Sequence, residues 1–339
     1  MRVLAALDKF RGTATAAEAT AAVGQAGWTL GVDVDEVPMS DGGEGILEVL
    51  GGANRTSLVT GPSGQPVQAG WRLQNRRAVI EMAAASGLLL AGGAERNDPL
   101  AATTRGTGEL IAQAAEQGAR TIVVGLGGSA TTDGGLGAIE AMHSPARYKS
   151  IDLQVACDVR TRFVDAAAVF APQKGATPAQ VALLTARLNQ LAERYLADYG
   201  VDVREVDGTG AAGGLAGGLL AMGGRIIGGF DVVADHFDLD ERLESVDAVV
   251  TGEGYLDEQS LDGKVVGSLA SLAVGAGRPV VAVVGAADDA AAARLVALGT
   301  ADAPVTVVSL VQEFGEQRAF AEPQWCIEHA AEQALRALA

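Results

Sequence analysis

Strand and helix patterns alternate at both ends of this chain. An apolar run at 2–7 is followed by a helical pattern that begins at Thr15, where Glu18 completes a capping box, and then by the strand-like run VDEVPM. Near the other end, apolar runs at 247–254, 279–285 and 304–311 are separated by alanine-rich helical segments. Parallel strands need a crossover connection, which is usually a helix. The alternation therefore predicts an α/β fold built on a parallel sheet.

The middle of the chain has a different sequence pattern. Residues 56–83 contain short β-rich runs joined by GPSGQP, which is typical of a hairpin and not of a helical crossover. A chain of 339 residues is also long enough for two domains. We predict a discontinuous Rossmann-like α/β domain from residues 1–55 and 245–339. A second, inserted α/β domain is predicted for residues 56–244.

Composition excludes several functional classes. A formal net charge of −17 argues against binding to nucleic acid or an anionic membrane, since both need clustered positive charge. No apolar run reaches the roughly twenty residues of a membrane span, so a cytoplasmic protein is expected. Cys157 and Cys326 lie far apart and the histidines have no ligand spacing, so neither a disulfide framework nor a zinc site is predicted.

Several glycine-rich loops follow predicted strands. The clearest are MSDGGEG (39–45), GLGGSATTDGGLG (125–137) and TGEGYLDEQSLDGK (251–264). In open parallel sheets the carboxyl ends of the strands border the ligand crevice, so such loops can converge on one site. Backbone N–H groups exposed by glycine, near a helix N-terminus, bind anions. The loops therefore indicate a phosphate site.

Charged residues stand beside these glycines. Asp41 and Asp133 each begin an Asp-Gly-Gly triplet, and an aspartate beside a phosphate can hold Mg²⁺ or accept a hydroxyl proton. Asp-Gly is also a common turn dipeptide, so the argument rests on the loops together and not on any one of them. Lys9, Lys174 and Lys264 lie in turn-like segments, where an ammonium serves as a point charge for phosphate.

Two standard nucleotide motifs can be tested. The segment before Lys264 lacks the first glycine and the hydroxyl of a P-loop. Gly208, Gly210 and Gly213 give the dinucleotide fingerprint in outline, and Asp231 follows 18 residues after Gly213. An NAD-dependent oxidoreductase is therefore an alternative function.

Taken in order along nearly the whole chain, the motifs resemble those of the bacterial glycerate kinase family, type I, the glycerate 2-kinase group. The resemblance is carried by DKFRGT, VPMSDGGEG, EMAAASGL, TTRGTGELI, GLGGSATTDGGLG, VFAPQKGA, GTGAAGGLAGG and DAVVTGEGYLDEQSLDGK. It implies phosphorylation of D-glycerate by ATP with Mg²⁺, most often giving 2-phosphoglycerate, with 3-phosphoglycerate as the alternative product. It also implies a two-domain α/β enzyme with the active-site cleft between the two domains.

The resemblance assigns hypothetical roles to individual residues. Catalysis is assigned to Asp133, as base or orienting acceptor, and to Asp41 and Lys9. Substrate binding is assigned to Asp8, Arg11, Ser86, Arg105, Gly42 and Gly43. Nucleotide binding is assigned to Gly127, Gly128, Ser129, Lys174, Gly252, Gly254 and Lys264. Metal binding is assigned to Asp158, Glu253 and Asp257.

Some questions stay open at this point. Arg160, Thr161 and Arg162 stand where relatives typically have Asn-Pro-Leu, which affects one wall of the expected site. A non-catalytic sensor of glycerate or phosphate is a third interpretation. The oligomeric state is also open, with a homodimer as one alternative.

Overall fold

The computed structural model describes residues 1–261 and 263–338 and has a mixed α/β fold. The strands are β1 (Arg2–Leu7), β2 (Asp33–Glu36), β3 (Arg55–Thr60), β4 (Pro66–Gln74), β5 (Arg77–Glu81), β6 (Thr121–Gly125), β7 (Asp152–Ala156), β8 (Arg225–Ile227), β9 (Ala248–Leu256), β10 (Val280–Ala287) and β11 (Val305–Ser309). The helices are α1 (Ala16–Leu30), α2 (Ile46–Val49), α3 (Ala83–Ser86), α4 (Arg105–Glu116), α5 (Leu136–Met142), α6 (Ala166–Phe170), α7 (Pro178–Tyr199), α8 (Ala211–Ala221), α9 (Gly229–His236), α10 (Leu239–Glu244), α11 (Val265–Gly275), α12 (Asp289–Val296), α13 (Leu310–Phe314), α14 (Glu316–Ala321) and α15 (Pro323–Leu338). The predicted α/β class is confirmed.

The chain divides into two compact units. Unit 1 comprises Met1–Asp41 and Phe230–Ala339, and unit 2 comprises Gly42–Gly229. These boundaries differ from those predicted from the sequence pattern. Residues 42–55 lie in unit 2 and residues 230–244 lie in unit 1. Local contacts explain the difference. Glu81 of β5 accepts the N–H of Gly45 at the start of α2, while Arg242 of α10 pairs with Asp35 of β2.

Unit 1 is built on a five-stranded parallel sheet with the order β11-β10-β9-β1-β2. Its central strands are rich in valine and alanine and are buried, as expected for a parallel sheet covered on both faces. Helix α1 begins with the predicted capping box, in which Thr15 and Glu18 bond each other's backbone N–H. Because the strands are parallel, the residues that end or follow β1, β2, β9, β10 and β11 lie along one edge of the sheet.

Unit 2 contains a six-stranded sheet with the order β3-β4-β5-β6-β7-β8. The predicted hairpin is present, since β3 and β4 pair antiparallel around residues 61–65, and β4 also pairs antiparallel with β5. From β5 to β8 the pairs are parallel. Its core contains the buried rings of Trp71, Phe163 and Tyr195. This arrangement places the GGSATTDGG loop between β6 and α5.

Within the part of the chain that the structure describes, no helix has both the length and the hydropathy to cross a bilayer.

Candidate active site

A cavity of about 360 Å³ lies at the carboxyl ends of the parallel strands of unit 1. Its wall contains groups from the loop after β1, from the segment after β2, from β9 and from the start of α11. The predicted site residues that line it are Asp8, Lys9, Arg11, Asp41, Glu253, Gly254, Asp257 and Lys264. Residues far apart in sequence therefore meet at the sheet edge where the strand pattern places them.

Lys9 lies between two carboxylates of this cavity. Its Nζ is 3.6 Å from Asp8 Oδ1 and 3.6 Å from Asp41 Oδ1. Burial raises the pKa of Asp8 to about 6, although the positive charge of Lys9 opposes this shift. Burial alone would lower the pKa of Lys9, but the charges of Asp8 and Asp41 together raise it. The lysine therefore stays cationic at neutral pH.

Glu253 lies on β9, next to the end of β1, where Leu7 pairs with Gly252. Its side chain is nearly buried, at 9% relative exposure. The Oε1 atom has no hydrogen-bond partner among the described residues. Burial raises the pKa of Glu253 to about 7, and a hydrogen bond from Ser260 and the positive charge of Lys264 act in the opposite direction. A buried carboxylate oxygen without a partner is costly unless a proton or a cation reaches it.

Two other predicted residues of this segment have local structural contacts. Asp257 Oδ1 accepts hydrogen bonds from the backbone N–H and the hydroxyl of Ser260. A Cβ at Gly254 would lie 3.1 Å from the backbone nitrogen of Arg11, so this glycine lets β9 approach the loop after β1. Gly252 lies within β9 itself. These contacts shape the floor of the cavity.

Asp133 lies in unit 2 and is buried. Its Oδ2 accepts hydrogen bonds from the backbone N–H and the hydroxyl of Thr104, at 2.9 and 2.8 Å, and from the N–H of Gly137 at 3.3 Å. Its Oδ1 accepts the N–H of Gly135 at 3.1 Å. Burial raises the pKa of Asp133, while the hydrogen bonds from Thr104 oppose the shift. With four donors on one carboxylate, Asp133 fixes the loop that contains it, and its role as base or orienting acceptor for the glycerate hydroxyl stays a prediction.

Lys174 is also used inside unit 2. Its Nζ donates to Ser129 Oγ and to the carbonyl of Thr131, both at 2.6 Å, and only 4% of the residue is exposed. The side-chain amide of Asn97 donates to the carbonyls of Ala130 and Lys174. Burial lowers the pKa of Lys174 to about 7, against the attraction of Asp133. Lys174 and Asn97 therefore brace the GGSATTDGG loop from within.

The lowered pKa of Lys174 predicts a pH-dependent stability. Above pH 7 the folded protein releases this proton, whereas the unfolded chain keeps it until about pH 10.5, so unfolding takes up a proton. The free energy of unfolding should then rise with pH between 7.5 and 9, by up to about 1.4 kcal/mol per pH unit. Urea unfolding of wild type and Lys174→Met at each pH isolates the effect. A stability difference between the two that does not change with pH contradicts it.

The predicted glycines of unit 2 bring two loops together. A Cβ at Gly127 would lie 2.5 Å from the backbone nitrogen of Glu44, a distance that no side chain tolerates. The N–H of Leu126 donates to the carbonyl of Gly42. Gly43 contacts Gly127, and Gly128 contacts the side chain of Glu44. The segments 42–44 and 126–128 are therefore packed through their glycines.

Three further predicted residues lie elsewhere in unit 2. Ser86 is fully buried and its hydroxyl shares a 2.8 Å hydrogen bond with that of Thr107. Arg105 pairs with Glu109 and Glu140. Asp158 Oδ1 accepts the N–H of Gly229, so the predicted metal set is divided between unit 2 and the cavity of unit 1.

The dinucleotide fingerprint lacks its structural context. The residues immediately before Gly208 form turns and not a strand, and Asp231 lies in α9. A Cβ at Gly213 would lie 2.0 Å from the carbonyl oxygen of Thr131. Gly213 therefore serves packing against the GGSATTDGG loop, and the missing strand before Gly208 does not favour the oxidoreductase.

Part of the cavity was not predicted from the sequence. This part comes from the residues that follow β11 and from α14, namely Leu310, Val311, Ala319 and Phe320, and it adds to the apolar lining that Phe10 and Ala286 provide. The position of these four after the last parallel strand is the one signal that could have indicated them. Asn97 gave no signal, because a single asparagine in a loop has many possible roles.

Comparison with known proteins gives concordant matches. A model described as the glycerate kinase family matches residues 3–144 and 139–339. The glycerate 2-kinase of Escherichia coli (strain K12) is 37% identical over 329 residues, covering 85% of this chain and 86% of that protein. The glycerate kinase of Bacillus subtilis (strain 168) is 36% identical over 325 residues, covering 84% and 85%. A crystal structure assigned as glycerate kinase 2 from Salmonella typhimurium LT2 matches with a TM-score of 0.82 and 31% identity, over 100% of this chain and 98% of that one. The similarity extends over both units.

Proposed function

This chain belongs to the glycerate kinase family, and we propose that it transfers the γ-phosphoryl group of ATP to the 2-hydroxyl of D-glycerate. The products are 2-phosphoglycerate and ADP. The observation that carries the proposal is the unit 1 cavity, where Lys9, Arg11 and Lys264 share one wall with buried carboxylates. Phosphoryl transfer depends mainly on positioning and on charge stabilisation, and this lining supplies groups for both.

Different basic side chains bind the different anionic groups of the two substrates. Lys9 and Lys264 neutralise phosphate oxygens, since an ammonium acts as a point charge. Arg11 binds the glycerate carboxylate, for which a guanidinium offers a two-pronged donor. Asp41 accepts the proton of the 2-hydroxyl. The hydroxyl oxygen forms a bond to the γ-phosphorus, and the bond from the γ-phosphorus to the oxygen shared with the β-phosphate breaks. The place of Asp41 beside Lys9 in the cavity supports this role.

The cavity also suits Mg²⁺. The buried Oε1 of Glu253, which lacks a partner among the described residues, and the neighbouring Asp8 are hard oxygen donors. No group of three or more such side chains in the described ranges is arranged around one metal position. Mg²⁺ often takes one or two carboxylates and completes its shell with water and substrate phosphates. When bound, the ion would neutralise phosphate charge.

The GGSATTDGG loop of unit 2 is held by buried polar contacts. Asp133, Thr104 and Lys174 fix the backbone of residues 125–137. Asp133 thus acts as a positioning residue.

The two cysteines are free and buried, in keeping with the cytoplasmic location that the composition predicts.

Product analysis by ³¹P NMR tests the proposed position of transfer. In a proton-coupled spectrum, phosphate on C2 is split by one hydrogen into a doublet, whereas phosphate on C3 is split by two into a triplet. We expect a doublet after incubation with ATP, Mg²⁺ and D-glycerate. A triplet would assign transfer to the 3-hydroxyl.

Removing the Glu253 charge should weaken the affinity of the site for Mg²⁺. In Glu253→Gln the Mg²⁺ concentration for half-maximal rate is expected to rise at least about tenfold, because losses of 10- to 100-fold follow even the removal of outer-shell partners. Magnesium titrations at saturating ATP measure the effect. Glu116→Gln, an exposed change in unit 2, serves as the matched control. Identical titrations for all three proteins would remove Glu253 from the metal site.

A further inference from the structure

One wall of the unit 1 cavity is apolar and has no part in the roles assigned above. Leu310 and Val311 begin α13 directly after β11, and Ala319 and Phe320 lie on α14. Phe320 is 62% exposed, although it is a large aromatic side chain. An exposed aromatic ring at the mouth of a charged cavity suggests a ligand with an apolar face.

The polarity of the cavity follows the order of the strands. Asp41 follows β2, Asp8 follows β1 and Glu253 lies on β9, whereas the lining residues of β10 and of the segment after β11 are uncharged. Neighbouring strands are about 4.8 Å apart, so β1 and β11 are separated by roughly 14 Å. A three-carbon acid spans only roughly 5 Å, given bonds of about 1.5 Å. One glycerate molecule therefore cannot contact both ends, whereas a ligand with phosphates at one end and a ring at the other can.

The aromatic wall is held in place by contacts within unit 1. The guanidinium of Arg318 lies 3.5 Å from the centroid of the Trp325 ring, and Arg318 Nε is 3.1 Å from Glu322 Oε2. Trp325 in turn stacks on His329 at 3.7 Å between centroids. These contacts fix α14 against α15, so Phe320 is presented by an anchored helix.

We propose that Leu310, Val311 and Phe320 form the binding site for the nucleobase of the phosphoryl donor, with its phosphates directed to Lys9 and Lys264. The inference rests on the proposed function, which requires a nucleotide, and it adds where the base is bound and by which contact. Stacking on an aromatic side chain contributes about 1–3 kcal/mol per base, which corresponds to roughly 5- to 150-fold in affinity. Stacking depends on the face of the base ring, which every base has, so the site accepts more than one base.

Nucleotide binding by Phe320 variants tests the proposal. The dissociation constant of ADP is measured by displacement of N-methylanthraniloyl-ADP, followed by fluorescence, and the KM for D-glycerate is measured in the kinase assay. In Phe320→Ala the ADP constant should rise about tenfold, while the KM for D-glycerate stays within twofold. Phe320→Trp, which keeps a stacking ring, should bind ADP within threefold of wild type. Trp28→Ala removes another exposed aromatic of unit 1, outside the cavity lining, and should change neither constant.

Several results would overturn the proposal. An unchanged ADP constant in Phe320→Ala would place the base elsewhere, and equal increases in both constants would show general damage to the cavity. Absence of ADP binding by wild type would also contradict it. Should wild type bind ADP through Phe320 but release no ADP from ATP when D-glycerate is added, the proposed function would fail while the nucleobase site stands.

Discussion

Lys9→Met is expected to lower kcat by about 10²- to 10³-fold, the loss typical when one preorganised charge-stabilising group is removed. The ammonium lies 3.6 Å from both Asp8 and Asp41, and it is the cation that compensates these acids in the cavity. Methionine keeps most of the side-chain volume but removes the charge. Steady-state kinetics with ATP, Mg²⁺ and D-glycerate measure the effect.

The control for this variant is Lys149→Met. Lys149 is exposed in unit 2 and does not line the cavity, so its kcat should stay within twofold of wild type. Thermal unfolding of Lys9→Met separates a catalytic loss from a folding defect. A folded Lys9→Met protein with near-normal kcat would contradict the assignment of Lys9.

Asp133→Ala is expected to destabilise unit 2 by at least about 3 kcal/mol. Its carboxylate accepts hydrogen bonds from Thr104, Gly135 and Gly137, and alanine would leave these buried donors without an acceptor, at about 1–3 kcal/mol each before relaxation. Asp133→Asn keeps one carbonyl oxygen, so its loss of stability should be smaller. Urea unfolding followed by circular dichroism measures both.

Asp198→Ala provides the matched comparison. Asp198 is an exposed partner of Arg194 on α7, and surface substitutions of this kind usually change stability by less than about 0.5 kcal/mol. The same variants distinguish the two roles considered for Asp133. A positioning residue predicts that Asp133→Asn loses stability and keeps a kcat within about tenfold of wild type. Wild-type stability with a kcat lowered 10²- to 10⁴-fold would instead identify Asp133 as the general base.

The cavity of unit 1 was predictable from the sequence to a large extent. The alternation of strands and helices places Asp8, Asp41 and Glu253 after or at the end of parallel strands, and one rule about such sheets brings them to a common edge. Glu253 lies more than two hundred residues from Asp8 and Asp41 along the chain, and the order of strands brings the three together. The capping box at Thr15 and the hairpin between β3 and β4 were predictable for a different reason. Their signals are local, within a few residues of one another.

The uses of polar residues inside unit 2 were not predictable. A lysine or serine beside glycine looks the same in sequence whether it faces a ligand or a neighbouring loop. Lys174 reaches Ser129 and Thr131 across more than forty residues, and Ser86 pairs with Thr107 across 21. Such contacts depend on tertiary packing. The unit boundaries at 41/42 and 229/230 were hidden for a similar reason, since no change in composition accompanies them.

The most direct test of the central claim is ADP release by the purified wild-type chain, with ATP and Mg²⁺ present and D-glycerate added or omitted. Phosphoryl transfer predicts ADP release that depends on D-glycerate and is much slower with L-glycerate. Failure of D-glycerate to increase ADP release above the rate seen without acceptor would contradict the account.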